Sequence, residues 1–162
     1  MKKAPIPEYE KERLEALKRL GILNTDPEQR FDRITTEAIE VFKVPISTIS
    51  LIDSDREWFK SCRGIGEQAG DRSISFCGHA LLVDYIFIVE DALKDKRFAD
   101  NPLVIKQGIR FYVGKALCES SSRLPVGVFC IKDFKPKKLT PFELAEFLKL
   151  SKEAEKELNR IG

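Results

Sequence analysis

The sequence predicts an α+β domain in which helices pack on one antiparallel sheet. Three observations carry this. Apolar residues repeat at helical spacing near both ends of the chain, the middle switches to β-branched, alternating segments, and those segments are separated by turn-like connections. At 162 residues the chain is the size of one domain with a full core. It is therefore read as a single domain, 1–162, with an N-terminal helical segment at 1–23 and a C-terminal helix at 141–161.

Glu8 to Leu20 places Leu14, Leu17 and Leu20 on one helical face, and Gly21 stands where a left-handed cap would end it. Thr25-Asp26-Pro27-Glu28 reads as a capping box with proline in the first turn, opening a helix through Phe31, Ile34, Ala38 and Val41. After Pro45 the period changes. Ile46 to Asp53 and Glu57 to Cys62 form a hairpin about the turn Asp53-Ser54-Asp55-Arg56. Gly64, Gly66 and Gly70 mark a flexible connection, and Cys77 to Leu82 is one or two helical turns lying over the sheet. Tyr85 to Val89 is continuous in its hydrophobicity and is expected as a strand buried on both faces. The polar stretch from Val89 to Ile109 is long for a connection in a small domain and is read as a lid. Phe111 to Leu117 and Val126 to Lys132 are strands joined by a Ser-rich hairpin loop. Thr140-Pro141-Phe142-Glu143 then repeats the cap signature at the start of the last helix. In that helix Leu144, Phe147, Ser151, Ala154, Leu158 and Ile161 are spaced by threes and fours, the pattern either of a helix on its own sheet or of a dimer seam.

Composition narrows the function. With 28 Lys+Arg against 26 Asp+Glu, and no dense basic block, nucleic acid is not an expected partner. No apolar run is long enough to span a bilayer and Met1-Lys2-Lys3 opens no apolar signal region, so no membrane insertion is expected and the cytoplasm is the default compartment. Cys62, Cys77, Cys118 and Cys130 are widely spaced and form no C-x-x-C pair, as in reduced thiols. The only histidine, His79, sits two residues from Cys77; without a second imidazole no metal site is expected.

The segment Ser75-Phe76-Cys77-Gly78-His79-Ala80-Leu81 is followed by Asp91-Ala92-Leu93, Arg97-Phe98-Ala99-Asp100-Asn101-Pro102-Leu103-Val104, Arg110-Phe111-Tyr112-Val113-Gly114 and Gly127-Val128-Phe129-Cys130-Ile131-Lys132-Asp133. Before it come Arg13-Leu14, Leu23-Asn24-Thr25, Phe31-Asp32-Arg33-Ile34, Val44-Pro45-Ile46, Leu51-Ile52-Asp53 and Trp58-Phe59-Lys60-Ser61, and Leu139-Thr140 follows. In this order the segments resemble a bacterial GAF domain, the sensory module found beside histidine kinase, diguanylate cyclase and phosphodiesterase domains. The resemblance implies a central antiparallel sheet of five to six strands, N- and C-terminal helices on one face, and a lid closing a ligand pocket on the other. It also implies a noncatalytic signal-transduction role, as in two-component systems.

Three specialised branches of the family fit less well. The free methionine sulfoxide reductases use lid cysteines, and the loop after Val89 holds none. Bilin-binding relatives carry Asp-Ile-Pro and an adjacent Cys-His pair, whereas Gly78 separates Cys77 from His79. The Asn-Lys-x-Phe-Asp-Glu pattern of cyclic-nucleotide-binding relatives is absent. No enzyme activity and no cofactor are expected.

The expected ligand site draws on Trp58 and Lys60 of the second strand, Ser75, Phe76, Cys77 and His79 of the lid turn, Asp91 and Asn101 of the long excursion, and Arg110 and Tyr112 at the next strand. A cation facing the pocket would favour an anionic small molecule. Each also has a structural role open to it: Asp91 and Asn101 are good caps, His79 a hydrogen-bonded core residue, and Cys77 a small hydrophobe. The expected partners are thus an unidentified small molecule, a second copy through the terminal helices, and an effector domain following in a longer chain. A thiol-based redox sensor acting through Cys77 and a ligand-free dimerisation module are the alternatives.

Overall fold

The computed structural model describes residues 1–160. Six strands form one sheet: β1 (Ile46–Ile52), β2 (Arg56–Arg63), β3 (Ala69–Asp71), β4 (Phe87–Val89), β5 (Phe111–Cys118) and β6 (Pro125–Asp133). Their order is β3-β2-β1-β6-β5-β4, and each neighbouring pair is antiparallel. β1, β6 and β5 are central and almost wholly buried, because residues on both sheet faces have a layer to pack against.

The first layer is α1 (Glu10–Arg19), α2 (Gln29–Phe42) and α5 (Pro141–Leu158). Phe31, Ile34 and Ala38 of α2 and Phe147, Leu150, Ala154 and Leu158 of α5 join Ile49, Leu51, Phe111, Phe129 and Ile131 in one core. Phe147 stacks on Phe129 with centroids 4.9 Å apart. α5 starts with the expected capping box, the Thr140 hydroxyl accepting from the Glu143 N–H while the Glu143 carboxylate accepts from the Thr140 N–H. Such a cap contributes about 1 kcal/mol.

The second layer covers the opposite face. It comprises the 3-10 turn Arg72–Ile74, α3 (Phe76–Ala80), the 3-10 turn Ala92–Lys94 and α4 (Pro102–Ile105). Phe76 lies stacked between Phe98 and Tyr112, at centroid distances of 4.3 and 5.1 Å. With Phe87, Val89, Val128 and Cys130 these rings form a separate core.

Three sequence expectations are corrected. Thr25 and Glu28 do not cap α2: that helix begins at Gln29, after an extended Glu28 without a side-chain cap bond. Both side chains are instead turned to the Lys60 ammonium. Tyr85 to Val89 is not buried on both faces; it shortens to the edge strand β4, whose pattern alternates, with Ile88 and the preceding Tyr85 exposed. The glycine-rich connection contains β3, which pairs with β2 at the other edge. Of the two readings of the α5 stripe, packing on its own sheet is observed: Phe147, Ser151, Ala154 and Leu158 are buried in this chain. Ile161 lies outside the described residues.

Candidate functional site

Strand alternation decides which side chains reach the space beneath the second layer. In β6, Phe129 and Ile131 point to the helices, so Val128, Cys130 and Lys132 point to the lid. In β2, Trp58 faces the helices while Glu57 and Phe59 face the lid. Ser61 pairs with Ile49 and Phe59 with Ser50, which leaves Lys60 as the extra residue of a bulge. Between lid and sheet lies a cavity of about 500 Å3, within the ordinary range for small-molecule sites. Ile46, Glu57, Phe59 and Lys132 line its floor, Ile74, Ser75, Leu103 and Ile109 its lid side, and the Gly64–Asp71 connection its rim.

Two ionisable groups of opposite sign are buried there. Lys132 and Glu57 are each 4% exposed. The Glu57 carboxylate accepts a hydrogen bond from the Ser75 hydroxyl at 3.0 Å, and the same hydroxyl accepts from the Gly78 N–H to cap α3. The Lys132 ammonium lies 6.0 Å from the Tyr112 ring centroid. Among the described residues it donates no hydrogen bond and has no carboxylate oxygen within 4.0 Å; its Nζ is not among the enclosed, unpartnered polar atoms, so it opens onto the cavity. Burial opposes its charging, but Glu57 together with the thiols of Cys130, Cys77 and Cys62 outweighs this and holds its pKa above the ordinary lysine value. With no acceptor from the protein, this ammonium is free to meet water or a ligand in the cavity.

Of the ten expected site residues only Ser75 lines the cavity. Trp58 is packed against the helices. Lys60 is on that side too, where its ammonium donates to the Thr25 hydroxyl and the Asp26 carbonyl, pairs with Glu28 at 2.8 Å and stands over the Phe31 ring. Arg30 and Lys60 together hold Glu28 at a pKa of about 2. Phe76 and Tyr112 belong to the second core, and the Tyr112 hydroxyl donates to Cys77 Sγ at 3.1 Å. Asp91 caps the 3-10 turn Ala92–Lys94. Asn101 caps α4 and donates to the Ile74 carbonyl, tying the two lid segments together. Arg110 donates to the Val104 and Ile109 carbonyls. His79 meets the Lys2 carbonyl at 3.2 Å and sets its ring edge-on to Phe98.

Cys77 lacks the surroundings of a reactive thiol. It has no exposed surface, and burial pushes its pKa well above the ordinary thiol value. Cys62 and Cys118 are half-buried and are also raised, Cys62 to about 11. Among the described residues no group of three or more His, Cys, Asp or Glu side chains is placed to hold a metal ion, and no helix is long and apolar enough to cross a membrane.

Glu57 and Lys132 were absent from the expected set. The alternation of Val128-Phe129-Cys130-Ile131-Lys132 contains the missing signal, since a lysine in step with Val128 and Cys130 must share their buried face.

The lid is attached to the N-terminal part of the chain. Glu10 of α1 accepts from Arg13 Nε at 2.7 Å and from Arg72 Nη2 at 3.2 Å, and Arg72 also donates to the Asp53 carbonyl. Arg13 reaches the Pro125 carbonyl at the start of β6. Residues 1–4 run along the lid: the Lys2 N–H donates to the Arg97 carbonyl, the Ala4 N–H to the Ser73 carbonyl, and Met1 pairs with Asp100.

Terminal helices on one face of an antiparallel sheet, with a lidded cavity on the other, define a two-layered α+β domain with a recess under its second layer. Residues 26–158 match the GAF domain family, and the chain belongs to it. It is 38% identical over 136 residues to a cyclic di-GMP phosphodiesterase of Pseudomonas aeruginosa, covering 82% of this chain but only 23% of that protein. The fold is also that of the GAF domain of a phosphoenolpyruvate-protein phosphotransferase from Coxiella burnetii (TM-score 0.67, 12% identity, 90% and 92% of the two chains covered). A domain of a two-component sensor histidine kinase protein from Sinorhizobium meliloti is similar (TM-score 0.66, 16% identity, 85% and 93% covered).

Proposed function

We propose that this domain is a noncatalytic sensor: a small molecule enters the cavity between lid and sheet, and its presence alters how the terminal helices pack. The observation that carries this reading is the Lys132 ammonium, which opens onto the floor of the cavity from an otherwise buried side chain and has no protein acceptor. Ser75 joins that cavity to the start of α3, and Arg72, three residues earlier, is bonded to Glu10 of α1. Occupancy therefore acts on the same turn that grips the first helix. The ligand shifts the helices only as far as it binds two lid arrangements with different affinity.

Thermal-shift screening of nucleotides, amino acids and small organic acids tests this on the wild type and on Lys132→Met. A compound that stabilises the wild type and loses its effect in the variant supports the reading. Failure of every compound assigns the domain to ligand-free dimerisation or spacing instead, and equal stabilisation of both proteins places binding away from Lys132 and refutes this site.

A further inference from the structure

We infer that the cavity takes a zwitterion of the amino-acid type, its carboxylate against Lys132 and its ammonium against Glu57. This rests on the sensor reading and specifies its ligand.

The floor carries one charge of each sign, both 96% or more removed from solvent in the sense that Lys132 and Glu57 retain only 4% exposure. They have not neutralised one another by contact, since no oxygen of Glu57 lies within 4.0 Å of the Lys132 ammonium. Register explains the separation: Glu57 is opposite Ile52 and Lys132 opposite Ile46, at the two ends of β1. Both side chains line the same cavity. Glu57 has a single side-chain hydrogen bond among the described residues, from Ser75. Each charge thus has coordination to spare.

A guest with only an anionic group would satisfy Lys132 but bring a like charge toward Glu57 in a poorly solvated space; a guest with only a cationic group would do the reverse. A dipolar guest pairs both and leaves the net charge of the site unchanged. Glu67 and Asp71 at the exposed rim add negative charge on the way in, which further disfavours a net anion. Phe59, Ile65 and Leu103 offer apolar contact to a side chain. The expectation of an anionic ligand from the sequence rested on Lys60 and Arg110, and both are engaged elsewhere.

Binding to the whole chain is measured by calorimetry with L-leucine and ε-aminocaproate, each beside its counterparts lacking the amine (isocaproate, caproate) and lacking the carboxylate (isoamylamine, hexylamine). One of the zwitterions is expected to bind at least about tenfold tighter than either counterpart, the loss of one charge-assisted contact. Glu57→Gln should narrow that preference over the matching carboxylate, and Lys132→Met should narrow it over the matching amine. A carboxylate or an amine that binds the wild type as tightly as the zwitterion overturns this inference while leaving the sensor reading intact. If neither zwitterion binds but a nucleotide or acid from the thermal-shift screen does so in a Lys132-dependent way, this inference alone fails. If nothing binds in either experiment, both fail.

Discussion

Replacing Glu10 by alanine should destabilise the domain far more than its place on the first helix suggests. Its carboxylate lies between two guanidinium groups, of which Arg13 is fully buried and Arg72 is 3% exposed. Removing one member of a buried ion-pair network costs about 3–5 kcal/mol, because the remaining charges keep their desolvation penalty without compensation. Glu10 itself is partly exposed, and Arg72 retains the carbonyls of Asp53 and Ser54, so the lower end applies, about 3 kcal/mol. For a domain of this size that is a fall in Tm of roughly 6–12 °C. Urea unfolding followed by circular dichroism gives the free energy, and calorimetry the midpoint. In the double variant Glu10→Ala/Arg72→Met one stranded cation is gone, and the two losses should sum to more than the loss observed. Additive losses, or a loss below about 1 kcal/mol for Glu10→Ala alone, would refute the network. The pH dependence has a defined sign: burial alone would raise the Glu10 pKa, but the two arginines outweigh it and lower it. The associated stability is present above the ordinary glutamate value of about 4.3 and is lost as the pH falls toward the folded value.

Three further outcomes are expected. Burial, with the charges of Arg97 and Lys2, lowers the His79 pKa against the opposing bond from the Lys2 carbonyl; stability should be complete above about pH 6.5, decline as pH drops toward the depressed value, and lose that component in His79→Gln. Thiol titration of the native protein should detect at most Cys62 and Cys118, with Cys77 and Cys130 reacting only on unfolding; early labelling or peroxide oxidation of Cys77 would restore the redox alternative. A methyl group at Gly114 would occupy the place of the Tyr112 ring and hydroxyl, so Gly114→Ala should cost about 1–3 kcal/mol and alter the near-ultraviolet circular dichroism of the tyrosine.

Order and type of the main elements were legible because their causes are local. Alternation in Ile46 to Asp53, the Thr140 to Glu143 cap and the helical stripe through Phe31, Ile34 and Ala38 need nothing beyond neighbouring residues. The Thr25 to Glu28 cap failed because a residue thirty-odd positions away, Lys60, draws both side chains to itself. Trp58 and Lys60 were expected at the ligand site, but which strand face meets the lid is fixed by the partners of the whole sheet. For the same reason Ser75 was found and Lys132 overlooked: a polar residue beside a turn is conspicuous, whereas a lysine closing an apolar strand resembles an ordinary solvated end until β1 and β5 enclose it.

β6 has one consequence for mechanics. Its start lies against Arg13 through the Pro125 carbonyl, and Lys132 is its penultimate residue. Seven steps of extended chain make that strand a stiff rod of roughly 23 Å, braced on both sides by hydrogen-bonded neighbours. On the sensor reading proposed above, this rod would be the direct mechanical link between a ligand at the ammonium and the guanidinium at its other end.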